Sequence, residues 1–88
     1  MQKYPITFSD KALAHVWKRH KISESEILVA FNDERMVGRR TKRGRYILIG
    51  KGAGGRLVSL IVNYRRGKYR LITTRLSNDS EKALYEGK

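Results

Sequence analysis

Residues 45–75 read RYILIGKGAGGRLVSLIVNYRRGKYRLITTR. The runs Tyr46-Ile47-Leu48-Ile49, Leu57-Val58-Ser59-Leu60-Ile61-Val62 and Leu71-Ile72 are rich in β-branched residues, which fit a pleated surface. A glycine-rich stretch at 50–55 and the link Arg65-Arg66-Gly67-Lys68 separate them. Apolar runs bounded by such punctuation predict strands at 46–49, 56–64 and 69–75, joined by short turns into an antiparallel meander. Residues 36–40 can add an edge strand.

The flanks change period. Residues 4–8 are extended, and Pro5 argues against a central strand there. Ser9 is placed to cap a helix with Asp10 in its first turn. Leu13, Val16, Trp17 and His20 recur at helical spacing, so Trp17 is expected to anchor the helix–sheet core. Ser23-Glu24-Ser25-Glu26 forms a capping-box pattern, and the helix that follows presents Ile27, Ala30 and Phe31 before stopping near Asn32-Asp33. Asn78 with Glu81 predicts a last short helix through Tyr85. The fold class is α+β: two N-terminal helices, a three- or four-stranded antiparallel sheet and a short C-terminal helix, in one domain over residues 1–88.

The formal charge is +12, and its distribution is uneven. Residues 1–34 carry five bases and five acids, whereas residues 35–75 carry thirteen bases and no acid. Disordered basic tails lack apolar runs of the kind found here, so the positive field sits on folded strands and turns. Such a surface attracts a polyanion and ties affinity to salt through counterion release. The expected phosphate contacts are Lys18, Arg19, Arg39, Arg40, Lys42, Arg43, Arg45, Arg65, Arg66, Lys68 and Arg70. The chain has no cysteine, which excludes disulfides and thiolate chemistry. No apolar run matches a membrane span or a signal-peptide core, so the cytoplasm is the expected location and no membrane partner is expected. Two histidines without cysteine or a well-spaced carboxylate argue against a structural zinc site, and no cofactor is expected.

If the 65–68 link is a four-residue turn, Tyr64 faces Tyr69, and the pairs continue as Val62–Leu71, Leu60–Thr73 and Val58–Arg75. Arg56 then becomes a diagonal neighbour of Arg75 on one sheet face, where a phosphate can bridge the two guanidiniums. A one-residue slip sends them to opposite faces. His20 is the first candidate for proton transfer, although its spacing equally suits a half-buried helix residue. His15 lies off the apolar face and is expected in solvent. Tyr46, Tyr64 and Tyr69 suit base stacking, but strand tyrosines more often pack their rings. The Gly52-Ala53-Gly54-Gly55 stretch lacks the P-loop pattern and reads as a turn.

From Phe8 to Tyr85 the sequence resembles the BrnT family of RelE-like toxins from type II toxin–antitoxin pairs. The resemblance rests on Phe8 and Asp10, on Arg19-His20 closing the first helix, and on Glu26-Ile27 to Phe31. It continues through Arg45-Tyr46 to Gly50 and Gly55-Arg56-Leu57. Ile72-Thr73-Thr74-Arg75 is similar to the family's Ile-Ser-Ala-Arg strand, and Glu81 with Tyr85 to its closing Glu-Arg-x-x-Tyr. Lys21 stands where the family has glycine, Thr41-Lys42-Arg43-Gly44 replaces its His-x-x-Gly-Glu, and Thr74 and Leu76 also depart from its pattern. The resemblance implies an endoribonuclease, free or ribosome-dependent, that inhibits translation. It also implies neutralisation by a cognate antitoxin, with DNA bound only through that complex.

The expected mechanism needs no metal: the substrate's 2′-hydroxyl attacks the phosphate in line with the leaving 5′-oxygen. Arg56 and Arg75 would hold the phosphate, His20 would transfer a proton, and Tyr85 would orient a base or donate a hydrogen bond. The partners are then RNA, free or as ribosome-bound mRNA, and the antitoxin. The alternative is a non-catalytic basic nucleic-acid-binding module, which explains the charge equally well.

Overall fold

The computed structural model describes residues 6–87. Its elements are β1 (Ile6–Thr7), α1 (Asp10–His20), α2 (Glu24–Phe31), β2 (Val37–Lys42), β3 (Arg45–Lys51), β4 (Leu57–Arg65), β5 (Lys68–Leu76) and α3 (Asp79–Tyr85). The helix starts follow from local chemistry: Ser9, Ser23 and Asn78 each accept a backbone N–H three residues on. Only Asn78 and Glu81 complete a reciprocal capping box. Glu26 does not return to Ser23 as the sequence pattern suggests. Its carboxylate is taken by Arg56, a charged donor.

The sheet has five strands in the order β1-β5-β4-β3-β2, with β2 to β5 forming the expected antiparallel meander. The expectation of three or four antiparallel strands is corrected by β1, which pairs parallel to β5 through Ile6↔Tyr69 and Thr7↔Arg70. Parallel neighbours need a long crossover, and here the connection runs through α1, α2 and the rest of the meander. A two-residue edge strand fits a segment next to Pro5; residues 4 and 5 of the expected extended start lie outside the described residues.

α1 and α2 pack on one face of the sheet. Val16, Ile22, Ile27, Ala30 and Phe31 meet Leu48, Val58, Leu60, Val62 and Leu71 in one buried cluster. Gly50 and Gly52 permit this approach: a Cβ on Gly50 would lie 2.4 Å from the Ala30 carbonyl oxygen, and one on Gly52 would lie 2.4 Å from Glu26 Cγ. α3 serves the other face, where Ser59 is bonded to both Ser77 and Glu81.

Trp17 corrects a second expectation. It is 53% exposed, and the Lys21 ammonium stands 5.3 Å from its ring centroid. The inward positions of α1 are Val16, with Leu13 partly buried; Trp17 lies one step round the helix from Val16. Lys21 itself adopts the left-handed conformation (φ 55°) and donates its N–H to the Trp17 carbonyl. This is the helix-ending geometry that glycine meets without strain, so the departure at Lys21 keeps the turn and adds a cation over the indole.

Candidate nucleic-acid interface

The 65–68 turn fixes the register as expected at its own end, with Tyr64↔Tyr69 and Val62↔Leu71 opposed. The ladder then shifts between Ile61 and Val62, so that Ile61 opposes Thr73, Leu60 opposes Thr74 and Ser59 opposes Arg75. Ile72 is the extra residue, and a bulge of this kind re-aims every side chain beyond it. The projected Arg56–Arg75 pair is therefore not formed. Arg75 shares the Ser59 face and makes a bidentate ion pair with Glu81 of α3, at 2.6 and 2.7 Å. Arg56 reaches the α1–α2 side instead, donating to Glu26 at 2.6 and 3.0 Å and to the Lys21 carbonyl at 2.9 Å.

Both arginines are thus held by carboxylates, and each pKa is raised chiefly by its Glu hydrogen bond. Glu81 is almost fully buried. Burial opposes its ionisation, but hydrogen bonds from Arg75, the Asn78 amide and Ser59 outweigh that, bringing its pKa down to about 2. Tyr85 is tied in a similar way. Its hydroxyl donates to Asp33 Oδ2 at 2.6 Å, which raises the phenol's pKa, while Asp33 also accepts the amides of Lys51 and Arg35. Burial opposes ionisation of Asp33, and these bonds lower its pKa nonetheless. Tyr85 lines a cleft with Arg35, Lys51, Gly55 and Leu57. His20 is half-buried at the last turn of α1. Of the four candidates for catalysis, Arg75 is thus held by Glu81 of α3, Tyr85 by Asp33, and Arg56 by Glu26 and the Lys21 carbonyl, while His20 precedes Lys21 in the chain.

The remaining cations are arranged differently. Among the described residues the ion pairs are those of Arg56 and Arg75, so Arg39, Arg40, Lys42, Arg43, Arg45, Arg65, Arg66, Lys68 and Arg70 have no carboxylate partner. Most of them gather at one end of the sheet, around the β3 start and the β4–β5 turn. Arg45, Asn63 and Arg70 are directly opposed across β3, β4 and β5 and therefore project from one face as a row. Arg39 stands on the same face in the next row, opposite Ile47. Lys18 and Arg19 lie exposed on the last turn of α1. Tyr46, Tyr64 and Tyr69 pack edge-to-face or tilted against one another, with Tyr69 also against Phe31, so the rings are used in packing. Among the described residues no three His, Asp or Glu side chains come together as ion ligands. No helix among them is long and apolar enough to cross a membrane.

A cleft of about 410 Å³ opens beside the row. Its walls are Ser9, Lys11, Ala12 and His15 of the α1 start, and Arg45, Asn63, Arg70, Leu71 and Ile72 of the sheet. Sequence reasoning placed His15 in solvent, which is correct, but missed its neighbours. No local pattern brings residue 15 to residues 45, 63 and 70; the pairing of β1 with β5 delivers the α1 start to that place.

No family model matches the chain, and no curated protein sequence does. Among solved structures it is similar to the Brucella abortus ribonuclease toxin BrnT, with a TM-score of 0.68 at 14% identity, over 88% of this chain and 100% of that one. The resemblance read from the order of sequence motifs is therefore met in three dimensions: this chain has the α+β fold of the BrnT ribonuclease toxin.

Proposed function

We propose that residues 1–88 act as one endoribonuclease domain, the toxin of a toxin–antitoxin pair. It cuts RNA by attack of the substrate's own 2′-hydroxyl and so inhibits translation. The observation that carries this reading is the row Arg45–Asn63–Arg70, whose two cations have no carboxylate partner among the described residues, on a sheet whose fold is shared with a ribonuclease toxin. Unpaired guanidiniums recognise phosphate through paired, charge-assisted hydrogen bonds. Asn63 between them can both donate and accept, which suits a sugar hydroxyl or a base edge. Arg75 and Arg56, each tied to a carboxylate, act in this reading mainly as braces for α3 and α2. The protein works in the cytoplasm, and a cognate antitoxin covers the same basic face with acidic side chains.

Attack by the 2′-oxygen needs no bound ion, because the nucleophile comes with the substrate. It leaves a 2′,3′-cyclic phosphate and a 5′-hydroxyl. The test is mass spectrometry of product ends in excess chelator, with and without ribosomes, on RNA, on the matching DNA and on RNA blocked by 2′-O-methylation at the cut. Cyclic phosphate ends from RNA alone are expected. A 3′-hydroxyl with a 5′-phosphate, or activity seen only with magnesium, contradicts the mechanism.

A second reading, a basic module that binds RNA without cutting it, is favoured by one observation: Arg56, Arg75 and Tyr85 are each tied to a carboxylate of the protein itself. Tight, salt-sensitive binding with no cleavage in either setting would decide for it.

A further inference from the structure

We infer that the cleft between the start of α1 and the Arg45–Asn63–Arg70 row takes the RNA phosphodiester, with His15 as the group that moves the 2′-hydroxyl proton. The inference deepens the ribonuclease reading and rests on it. Ser9, Lys11 and His15 enter the cleft from the helix, Arg45 and Arg70 from the strands, and no acidic side chain lines it. An anion is the ligand that such walls select. Arg45 and Arg70 stand two strand spacings apart, about 10 Å, with Asn63 between them. Two guanidiniums at that separation can grip one phosphodiester from both sides.

His15 is exposed, so it can meet substrate without rearrangement of the core. Imidazole is the side chain suited to proton exchange near neutral pH, and His15 is the one histidine lining this cleft. In the step proposed, a His15 ring nitrogen accepts the 2′-hydroxyl proton as the O2′–P bond forms. The P–O5′ bond breaks, and the 5′-oxygen takes a proton from water. The resulting hydroxide is neutralised by the proton His15 then releases, so one proton passes overall from the 2′- to the 5′-oxygen. Arg45 and Arg70 hold the charge that develops on phosphate.

Two measurements on the full chain test this. The protein has two histidines, so imidazole NMR signals can be followed separately during titration with a 2′-O-methyl RNA oligonucleotide that cannot be cut. The His15 signals should move, and by more than those of His20 at the far end of α1. A His15 shift no larger than that of His20 overturns the placement. In single-turnover cleavage, His15→Ala should lower the rate on the order of 10²-fold or more. His15→Lys, which places a cation at this position but no base that accepts a proton near neutrality, should bind the blocked oligonucleotide within about threefold of the wild type yet cut as poorly as His15→Ala. Cleavage by His15→Ala within about threefold of the wild type overturns the His15 assignment alone. A wild-type protein that binds through His15 but leaves RNA intact overturns the ribonuclease reading, and the proton-transfer role with it.

Discussion

The two ends of the sheet treat positive charge in opposite ways. At the end where β4 begins and β5 finishes, Arg56 and Arg75 are each gripped by a glutamate, and Tyr85 is fastened to Asp33. At the end where β3 begins and β4 turns into β5, a cluster of arginines and lysines faces solvent with no carboxylate partner among the described residues. A guanidinium that completes its hydrogen bonds inside the protein adds to architecture. One left unpaired on a rigid strand adds to the external field and remains available to a phosphate. Residue type and strand position are similar at the two ends, so the difference comes from where the few acids lie.

The largest effect should come from breaking the paired end. Glu81→Ala would leave Arg75 and the Asn78 amide without that acceptor, and losing the buried carboxylate of a pair whose guanidinium is 36% exposed costs about 3 kcal/mol, the low end for a buried pair. Urea denaturation should show a loss of that size. A loss under about 1 kcal/mol would mean that the network adds little to stability. Acid offers a gentler way to the same bond. The folded-state pKa of Glu81 is lowered to about 2, so its contribution is fully present above the unfolded-state value near 4.3 and is lost as pH falls from about 5 towards 2. The wild type should lose on the order of 3 kcal/mol through this group across that window. Glu81→Ala should show a correspondingly flatter acid limb in the same denaturation series.

A smaller effect, of opposite sign, is expected at the end of α1. Lys21→Gly relieves a left-handed conformation that favours glycine, at the cost of a more flexible unfolded chain and the contact with Trp17. The balance should raise stability by about 0.5–1 kcal/mol. A thermal melt showing a loss instead would assign more weight to the ammonium–indole contact than to the backbone.

The sequence carried the elements and the paired end very unequally. Caps at Ser9, Ser23 and Asn78, the meander, and the register next to the Arg65–Lys68 turn were legible because each depends on neighbours in the chain. The shift at Ile72 was not, because Ile72, Thr73 and Thr74 are all β-branched and nothing in their order marks the extra residue. That single residue moved Arg75 to the face of α3 and dissolved the projected arginine pair. The glutamate partners left a trace that was overlooked. Glu26 precedes Ala30 by four residues and so shares its buried helix face, and an acid placed there must find a cation. The Trp17 error has a related cause: a stripe including residues 13, 16, 17 and 20 is wider than the face α1 buries, and spacing alone does not say which edge stays wet. The His15 cleft was out of reach, since it joins residue 15 to residues 45, 63 and 70, all distant in the chain.

The contrast between the ends is tested most directly by the salt dependence of binding to an uncleavable 2′-O-methyl RNA. Each phosphate contact on a single strand adds about 0.7 to the slope of log K against log salt. Arg45→Ala combined with Arg70→Ala should therefore flatten that slope by about 1.4 while changing stability by no more than about 0.5 kcal/mol per site. Lys51→Ala combined with Lys82→Ala removes the same charge away from the row and should leave the slope within error. Equal flattening by both double variants would show that the protein attracts RNA by its total charge, and it would contradict a defined phosphate site on the unpaired end of the sheet.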